Sequence, residues 1–151
     1  MIRGLLLVAL CWSSTVLGNT LEPVENLQQL ARQHPNKVVL LLISQPGCGF
    51  CQQITDDILQ PMLISGDYDA HTVIREVEIY NARKLIDFFG RTVDATDFAK
   101  RYNAWATPTL LFLNGQGVSL AQKMVGYNTP DLYGYYVDES LSKARATNTA
   151  E

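Results

Sequence analysis

A continuous apolar run, KVVLLLIS at residues 37–44, ends shortly before two cysteines, Cys48 and Cys51, that are separated by two residues. The run is short, rich in valine, leucine and isoleucine, and bounded by turn residues, which is typical of a strand buried on both faces of a sheet. Apolar residues at helical spacing follow Cys51 and predict a helix. A strand buried on both faces and followed by a helix predicts an α/β fold in which helices cover the sheet.

The rest of the chain alternates between predicted helices and strands. Changes in the apolar period mark the elements, and turn residues mark most of their ends. The predicted order is a helix at 23–34, the strand at 37–44, the helix after Cys51, a strand at 71–80, a helix at 95–104, strands at 109–114 and 118–126 joined by a GQG turn, and a closing helix at 129–144. The closing helix is predicted to have one apolar face, made of Leu132, Tyr136, Val137 and Leu141. For residues 81–94 a hairpin and a loop both remain open.

The first eighteen residues have the layout of a secretory signal peptide. A single charge, Arg3, precedes the apolar stretch GLLLVAL, and the positions of Val16 and Gly18 suit the small residues before a cut. The apolar stretch is far shorter than the roughly 20 residues that span a bilayer, so we expect cleavage after Gly18 rather than anchoring. The expected organisation is a signal peptide at 1–18 and one mature domain at 19–151, periplasmic or secreted, without stable membrane insertion.

Cleavage would leave the mature chain with two of its three cysteines. The lost one, Cys11, follows the bulky Leu10, which argues against a lipid-attachment site. Cysteines in an oxidising compartment are usually paired, and the remaining pairing is Cys48 with Cys51. A disulfide across so short a loop constrains the unfolded chain very little, which argues against a purely structural role. The formal charge of −3, which becomes −4 without Arg3, and the lack of a basic stripe argue against nucleic acid as a partner.

A metal site and a redox centre are the remaining interpretations of the cysteine pair. Structural zinc takes about four ligands, whereas the mature chain offers one CxxC and two isolated histidines, His34 and His71, so no metal is expected. A cysteine at a helix N-terminus has the lowered pKa that a redox thiolate needs. Cys48 has that position and is the expected nucleophile. Cys51, one turn inside the helix, is the expected resolving thiol.

Two further motifs, ATPTLLFLNGQG at 106–117 and MVGY at 124–127, occur later in the chain than the buried strand and GCGFC. With these motifs, roughly residues 22–145 resemble the thioredoxin superfamily. Within it the chain is most similar to the periplasmic thioredoxin-like proteins of the SoxW type, which have an export signal, a CxxC and an elaborated stretch before the proline. The resemblance implies a thioredoxin fold, with a central mixed β-sheet flanked by helices and an elaboration between the active-site helix and the cis-proline strand.

The resemblance also implies roles for individual residues. It implies an active centre of Cys48, Cys51 and Pro108, with a cis peptide bond between Thr107 and Pro108 and a reversible Cys48–Cys51 disulfide. It further implies that a substrate-binding groove surrounds this centre and is formed by Gly49, Phe50, Trp105, Thr107, Pro108 and Gly126. For Trp105, a packed or half-exposed position in the core is an equal alternative.

The residues around this centre depart from those of cytoplasmic thioredoxin. Gly47 replaces the usual tryptophan, and the central pair is Gly49 and Phe50 instead of Gly-Pro. Leu42 occupies the position of thioredoxin's buried aspartate, which moves protons for the second cysteine. Glu76, on the neighbouring predicted strand, is a candidate for this proton relay. A solvated glutamate at the edge of the sheet is the alternative.

The residues and the resemblance together predict an exported thiol-disulfide oxidoreductase that needs no bound cofactor. The expected partners are cysteine-containing proteins and a membrane thiol-disulfide relay. The chain has no room for the dimerisation domain of periplasmic isomerases, which favours a monomeric reductant or electron carrier. A disulfide oxidase or isomerase, and a non-catalytic binding or regulatory module on the same fold, are the alternatives.

Overall fold

The computed structural model describes residues 21–149, so the predicted signal peptide and Cys11 lie outside the described residues. The helices are α1 (Leu27–Gln33), α2 (Gly49–Ile54), α3 (Gln60–Ser65), α4 (Ala95–Arg101) and α5 (Pro130–Asn148), and a π-helical turn (Thr55–Leu59) joins α2 to α3. The strands are β1 (Val38–Ser44), β2 (Thr72–Glu78), β3 (Lys84–Ile86), β4 (Thr92–Asp94), β5 (Thr109–Leu113) and β6 (Met124–Val125). Between residues 21 and 149, no helix is long and apolar enough to cross a membrane.

Four strands form a mixed sheet in the order β2-β1-β5-β6, with helices on both faces. Strand β1 runs parallel to β2 and antiparallel to β5, which in turn runs antiparallel to β6. The predicted mixed central sheet is therefore confirmed. The apolar run at 37–44 forms its central strand, as its composition predicts.

Strand β1 carries the two hydrophobic cores of the domain because all seven of its side chains are buried. Successive side chains of a strand point to opposite faces. Leu41 and Ile43 pack with α1 and α4 on one face, whereas Leu40 and Leu42 pack with α3 and α5 on the other. Burial on both faces explains why this run shows no alternation of apolar and polar residues.

The predicted helix at 23–34 begins later, with α1. Asn26 is its N-cap, and the Asn26 side chain accepts the backbone N–H of Gln29 at 2.8 Å. The residues before the cap are extended and lie along the free edge of β2, where the Val24 N–H donates to the Glu76 carbonyl at 2.8 Å. The cap and this pairing together shorten the helix.

Residues 81–94, for which the sequence allowed either a hairpin or a loop, form a hairpin of β3 and β4. Its turn closes around Asp87, a carboxylate with only 1% of its surface exposed. Asp87 Oδ1 accepts the backbone N–H groups of Phe89 and Arg91, both at 3.0 Å, and Oδ2 accepts Nη1 of Arg101 in α4 at 2.7 Å. One buried carboxylate therefore ties the hairpin to the helix that follows it.

The predicted apolar face of the closing helix is wrong in part, because Leu132 and Tyr136 are exposed. The buried face of α5 consists of Tyr133, Val137, Leu141 and Ala144. The hydroxyl of Tyr133 donates to the Gly126 carbonyl at 2.9 Å, and its ring packs edge-on against Tyr127. These tertiary contacts set the rotation of the helix about its axis.

The predicted strand at 118–126 is also shorter than expected. Ser119 forms only an isolated bridge with β5, and β6 has just two residues. Between these points the chain leaves the sheet, and the Lys123 ammonium donates to the carbonyls of Tyr102 and Asn103 at 2.9 and 2.8 Å. The lysine satisfies carbonyl groups at the end of α4, so this part of the chain contacts α4 instead of pairing with β5.

Candidate active site

The two cysteines lie at the start of the helical run from α2 to α3, just after β1. Gly47 turns the chain with a φ of +72°, a conformation that glycine adopts without steric cost. Cys48 is the N-cap of α2, and its Sγ accepts the backbone N–H of Cys51 at 3.1 Å. The two sulfur atoms are joined in a disulfide. The structure therefore brings the predicted nucleophile and the predicted resolving thiol together.

The two sulfurs differ in their access to solvent. Cys48 is half-buried, whereas Cys51 has 5% of its surface exposed. Unpaired backbone N–H groups at the start of a helix favour an anion there, so a thiolate is best stabilised at Cys48. Exposure and electrostatics both suit Cys48 for the first attack on a protein partner.

Pro108 begins the second wall of the site. Strand β5 runs antiparallel to β1 with Thr109 opposite Ile43. The start of β5 therefore lies next to the end of β1, where the chain continues to the cysteines. The peptide bond between Thr107 and Pro108 is cis. The Pro108 carbonyl accepts the N–H of Gly126 at 2.8 Å. The predicted groove residues Thr107, Pro108 and Gly126 therefore lie together at this edge.

The aromatic residues of the predicted groove are on the surface. Phe50 is 60% exposed and Trp105 is 64% exposed, so Trp105 is not a packed core residue. Gly49, between the cysteines, is exposed as well, and Thr107 is half-buried. Exposed aromatic rings offer apolar contact area to a polypeptide.

A cavity of about 510 Å³ adjoins the disulfide. Its wall includes both cysteines together with Ser44 at the end of β1 and two glutamates of β2, Glu76 and Glu78. The site therefore has two carboxyl groups on the sheet side of the disulfide, although position 42 of β1 is an apolar leucine.

Glu76 lies directly opposite Leu42 in the register of β1 and β2. Leu42 is fully buried and has no group that can carry a proton. Glu76 is half-buried, and its Oε1 accepts the hydroxyl of Ser44 at 2.6 Å. This contact distinguishes Glu76 from a freely solvated glutamate at the sheet edge.

Ser44 is a polar residue of the site that the sequence analysis missed. It is 2% exposed, and its hydroxyl donates to Glu76. The sequence could have indicated it, because Ser44 follows Leu42 by two residues and side chains two apart in a strand point to the same face. A serine in this otherwise apolar run, directly before the CxxC loop, marks where the core meets the site.

The histidines lie away from the cysteines. His34 follows α1 and His71 precedes β2, at the sheet edge opposite the disulfide. Burial lowers the pKa of both imidazoles, and nearby positive charges, Lys37 for His34 and Arg145 for His71, lower it further. Within the part of the chain that the structure describes, no group of three or more histidine, cysteine, aspartate or glutamate side chains is placed to hold a metal ion.

Comparison with known families supports the geometry. The sequence profile of the thioredoxin-like domain matches residues 24–139, which include both cysteines, Pro108 and Gly126. No curated protein matches the sequence at a significant level.

Solved structures share the fold at low sequence identity. The thioredoxin pre-protein of Schistosoma mansoni is 22% identical, with a TM-score of 0.52 over 82% of this chain and 97% of its own. A thioredoxin-fold protein from Helicobacter pylori is 19% identical, with a TM-score of 0.52 over 88% of each chain. A structure described as DsbH oxidoreductase is 16% identical, with a TM-score of 0.57 over 91% of this chain and 94% of its own. These likenesses show a common fold.

Proposed function

This chain belongs to the thioredoxin-like domain family and is a thiol-disulfide oxidoreductase, and we propose that it acts outside the cytoplasm as a reductant or electron carrier for cysteine-containing proteins. The observation that carries the proposal is the Cys48–Cys51 disulfide at a helix N-terminus, on the sheet edge that also bears Pro108. The SoxW-type assignment is part of the proposal. It is supported by the N-terminal export pattern and by the hairpin that precedes the proline strand.

The reaction is a two-step exchange that begins with the reduced centre. The Cys48 thiolate attacks one sulfur of a partner disulfide, forms a mixed disulfide and releases the first partner thiolate. The Cys51 thiol then loses its proton, attacks Cys48 Sγ and releases the second partner thiolate. The partner gains two electrons as two thiolates, which become thiols by taking one proton lost by Cys51 and one from solvent, and the protein is left with the Cys48–Cys51 disulfide.

A donor must reduce this disulfide again before the next turnover. Oxidising compartments lack the thiol pool that keeps cysteines reduced in the cytosol. We therefore propose a membrane thiol-disulfide relay as the donor, which hands electrons to the exported domain. The domain acts as a monomer in this proposal, and no bound cofactor takes part.

The second step needs a proton acceptor near Cys51, and we propose Glu76 for this relay, acting with Ser44. Both residues line the cavity that Cys51 also lines, and their hydrogen bond holds the carboxylate in place. Water in the cavity connects the carboxylate with the thiol in this proposal. In this proposal, a glutamate on β2 takes the role that the buried aspartate has in thioredoxin, because this chain has Leu42 at the position of that aspartate on β1.

Replacing Glu76 with glutamine is expected to slow the resolving step about 100-fold at pH 7, because the amide cannot accept the Cys51 proton. The defect should shrink above about pH 9, where the thiol ionises without help. The measurement is the rate at which a mixed disulfide on Cys48 decays, followed as a function of pH by rapid acid quenching.

The matched control is Glu78→Gln, because Glu78 lines the same cavity but accepts from Asn81 and pairs with Arg83. It should leave the pH profile unchanged. An unchanged profile for Glu76→Gln, or equal defects in both variants, would remove Glu76 from the relay.

Export and the direction of electron flow are tested in one preparation. The full chain, produced in a bacterial host with its own N-terminus, should reach the periplasm and begin near Asn19 after processing. Its Cys48–Cys51 couple, equilibrated with glutathione redox buffers, should have a potential more negative than about −200 mV, as a reductant requires. N-terminal sequencing and quantitative thiol alkylation give the two readouts.

Each readout has an opposing outcome. An unprocessed chain that stays in the cytoplasm contradicts export. A potential of about −120 mV contradicts the reductant role and favours a disulfide oxidase, for which the Gly-Phe centre and Thr107 are the supporting features.

A further inference from the structure

Tyr80 is an exposed aromatic residue at the same edge of the sheet as the cysteines. Strands β1 and β2 are parallel, and the Ile79 N–H donates to the Ser44 carbonyl at 2.9 Å, so the ladder continues to the last residue before Tyr80. Tyr80 therefore leaves the sheet beside the point where β1 leads to the CxxC loop. Its side chain is 56% exposed, so burial in the core does not explain its position.

The backbone of Tyr80 is held in a conformation that its own preferences disfavour. Its φ is +62°, and Ala82 two residues later has a φ of +55°. Bulky residues rarely adopt this left-handed region, and such residues cluster at functional sites when surrounding contacts enforce them. One contact that holds this backbone comes from α4, because the Tyr80 N–H donates to Thr96 Oγ1 at 3.1 Å.

The Tyr80 hydroxyl reaches the loop that leads to the cis-proline. It donates to the Trp105 carbonyl at 3.1 Å. The same loop is anchored earlier by Lys123, which binds the carbonyl of Asn103, and later by the Thr109 hydroxyl, which donates to the Ala106 carbonyl at 2.7 Å. The Tyr80 contact holds the middle of the loop, two residues before Thr107.

We propose that Tyr80 is a positioning residue that sets substrate specificity at the cis-proline loop. Its hydroxyl holds the Trp105 backbone, which orients both the exposed indole and the following Thr107 toward an incoming chain. The substrate class is an extended polypeptide with an apolar side chain next to its reactive cysteine, because the Trp105 and Tyr80 rings present apolar area there. This inference rests on the proposed function and adds the substrate class to it.

The test compares a peptide disulfide with a small one. Tyr80→Phe keeps the ring and removes only the hydroxyl. With a synthetic peptide that has one disulfide and leucine beside each cysteine, KM should rise about 3- to 10-fold, the size of one lost hydrogen bond, while kcat stays within twofold. With oxidised glutathione, which lacks such side chains, kcat/KM should stay within twofold. Tyr135→Phe removes the hydroxyl of an exposed tyrosine on α5 and is the matched control. It should leave the kinetic constants for both substrates unchanged.

The outcomes separate this inference from the proposed function. An unchanged KM for the peptide in Tyr80→Phe overturns the positioning role. Equal losses with peptide and glutathione overturn it as well, because a general effect on the dithiol would not distinguish the substrates. A wild-type protein that reduces neither disulfide overturns the proposed function itself, and this inference falls with it.

Discussion

Replacing Cys48 with serine is expected to lower the rate of protein disulfide reduction by roughly three orders of magnitude or more. A serine hydroxyl is not ionised near neutral pH, so the variant has no anion at the helix N-terminus to attack a disulfide. Cys51 cannot replace it, because only 5% of its surface is exposed. The measurement is the steady-state reduction of a protein disulfide such as that of insulin, with a small dithiol as the electron source.

The matched variant, Cys51→Ser, should fail at the next step. It retains the Cys48 thiolate but cannot resolve the mixed disulfide, so partner proteins should remain covalently attached to Cys48. Non-reducing electrophoresis and mass spectrometry of extracts from cells that produce the variant would identify them.

Two results would contradict these assignments. The nucleophile is misassigned if Cys48→Ser keeps the wild-type rate. The order of the two cysteines is wrong if Cys48→Ser traps partners and Cys51→Ser does not. Unchanged biological activity when both cysteines are replaced would favour the non-catalytic binding module instead.

Replacing Asp87 with asparagine is expected to lower the free energy of unfolding by about 2 kcal/mol. The carboxylate is buried and accepts two backbone N–H groups of the hairpin turn, and it pairs with both Arg91 and Arg101. Asparagine can still accept the backbone bonds but cannot pair with the two guanidinium groups. Chemical denaturation at pH 7 measures the effect, with Asp97→Asn as the control because that carboxylate is exposed and forms a surface ion pair with Lys100.

The same carboxylate predicts how stability changes with pH. Burial alone would raise the pKa of Asp87, but hydrogen bonds from Arg101, Arg91 and Phe89 outweigh it and lower the pKa to about 2 from its ordinary value of 3.8. A group whose pKa is lower in the folded state stabilises the fold above its unfolded pKa. Its contribution is therefore complete above about pH 4 and is lost as the pH falls toward 2.

This loss on acidification should be smaller in Asp87→Asn than in the wild-type protein, and it should persist in Asp97→Asn. If the wild-type protein and Asp87→Asn lose stability in parallel between pH 4 and 2, Asp87 is not the responsible group.

Local sequence signals were strongest where an element is buried on both faces or capped by its own residues. The run at 37–44 predicts a central strand because only a strand between two helical layers hides apolar side chains on both faces. The position of Cys48 at a helix start follows from the change of period after Cys51. These are short-range properties, and the structure agrees with them.

The face of α5 and the length of β6 were predicted wrongly because distant residues decide them. Leu132 and Tyr133 begin two overlapping apolar stripes on α5. Which stripe faces the core depends on the contacts of Tyr133 with Gly126 and Tyr127. Likewise, Lys123 leaves the sheet to bind carbonyls about 20 residues earlier in the chain. No local pattern contains this information.

The sequence by itself determined the buried central strand, the CxxC pair that follows it and the family to which this chain belongs, because each depends on neighbouring residues. Tertiary structure alone decided the surroundings of that pair. Ser44 meets Glu76 only through the parallel register of β1 and β2, and the Tyr80 hydroxyl reaches the Trp105 carbonyl, 25 residues away, while its backbone N–H binds Thr96 of α4. Contacts between residues so far apart in sequence arise from the packing of whole elements, which no local pattern encodes.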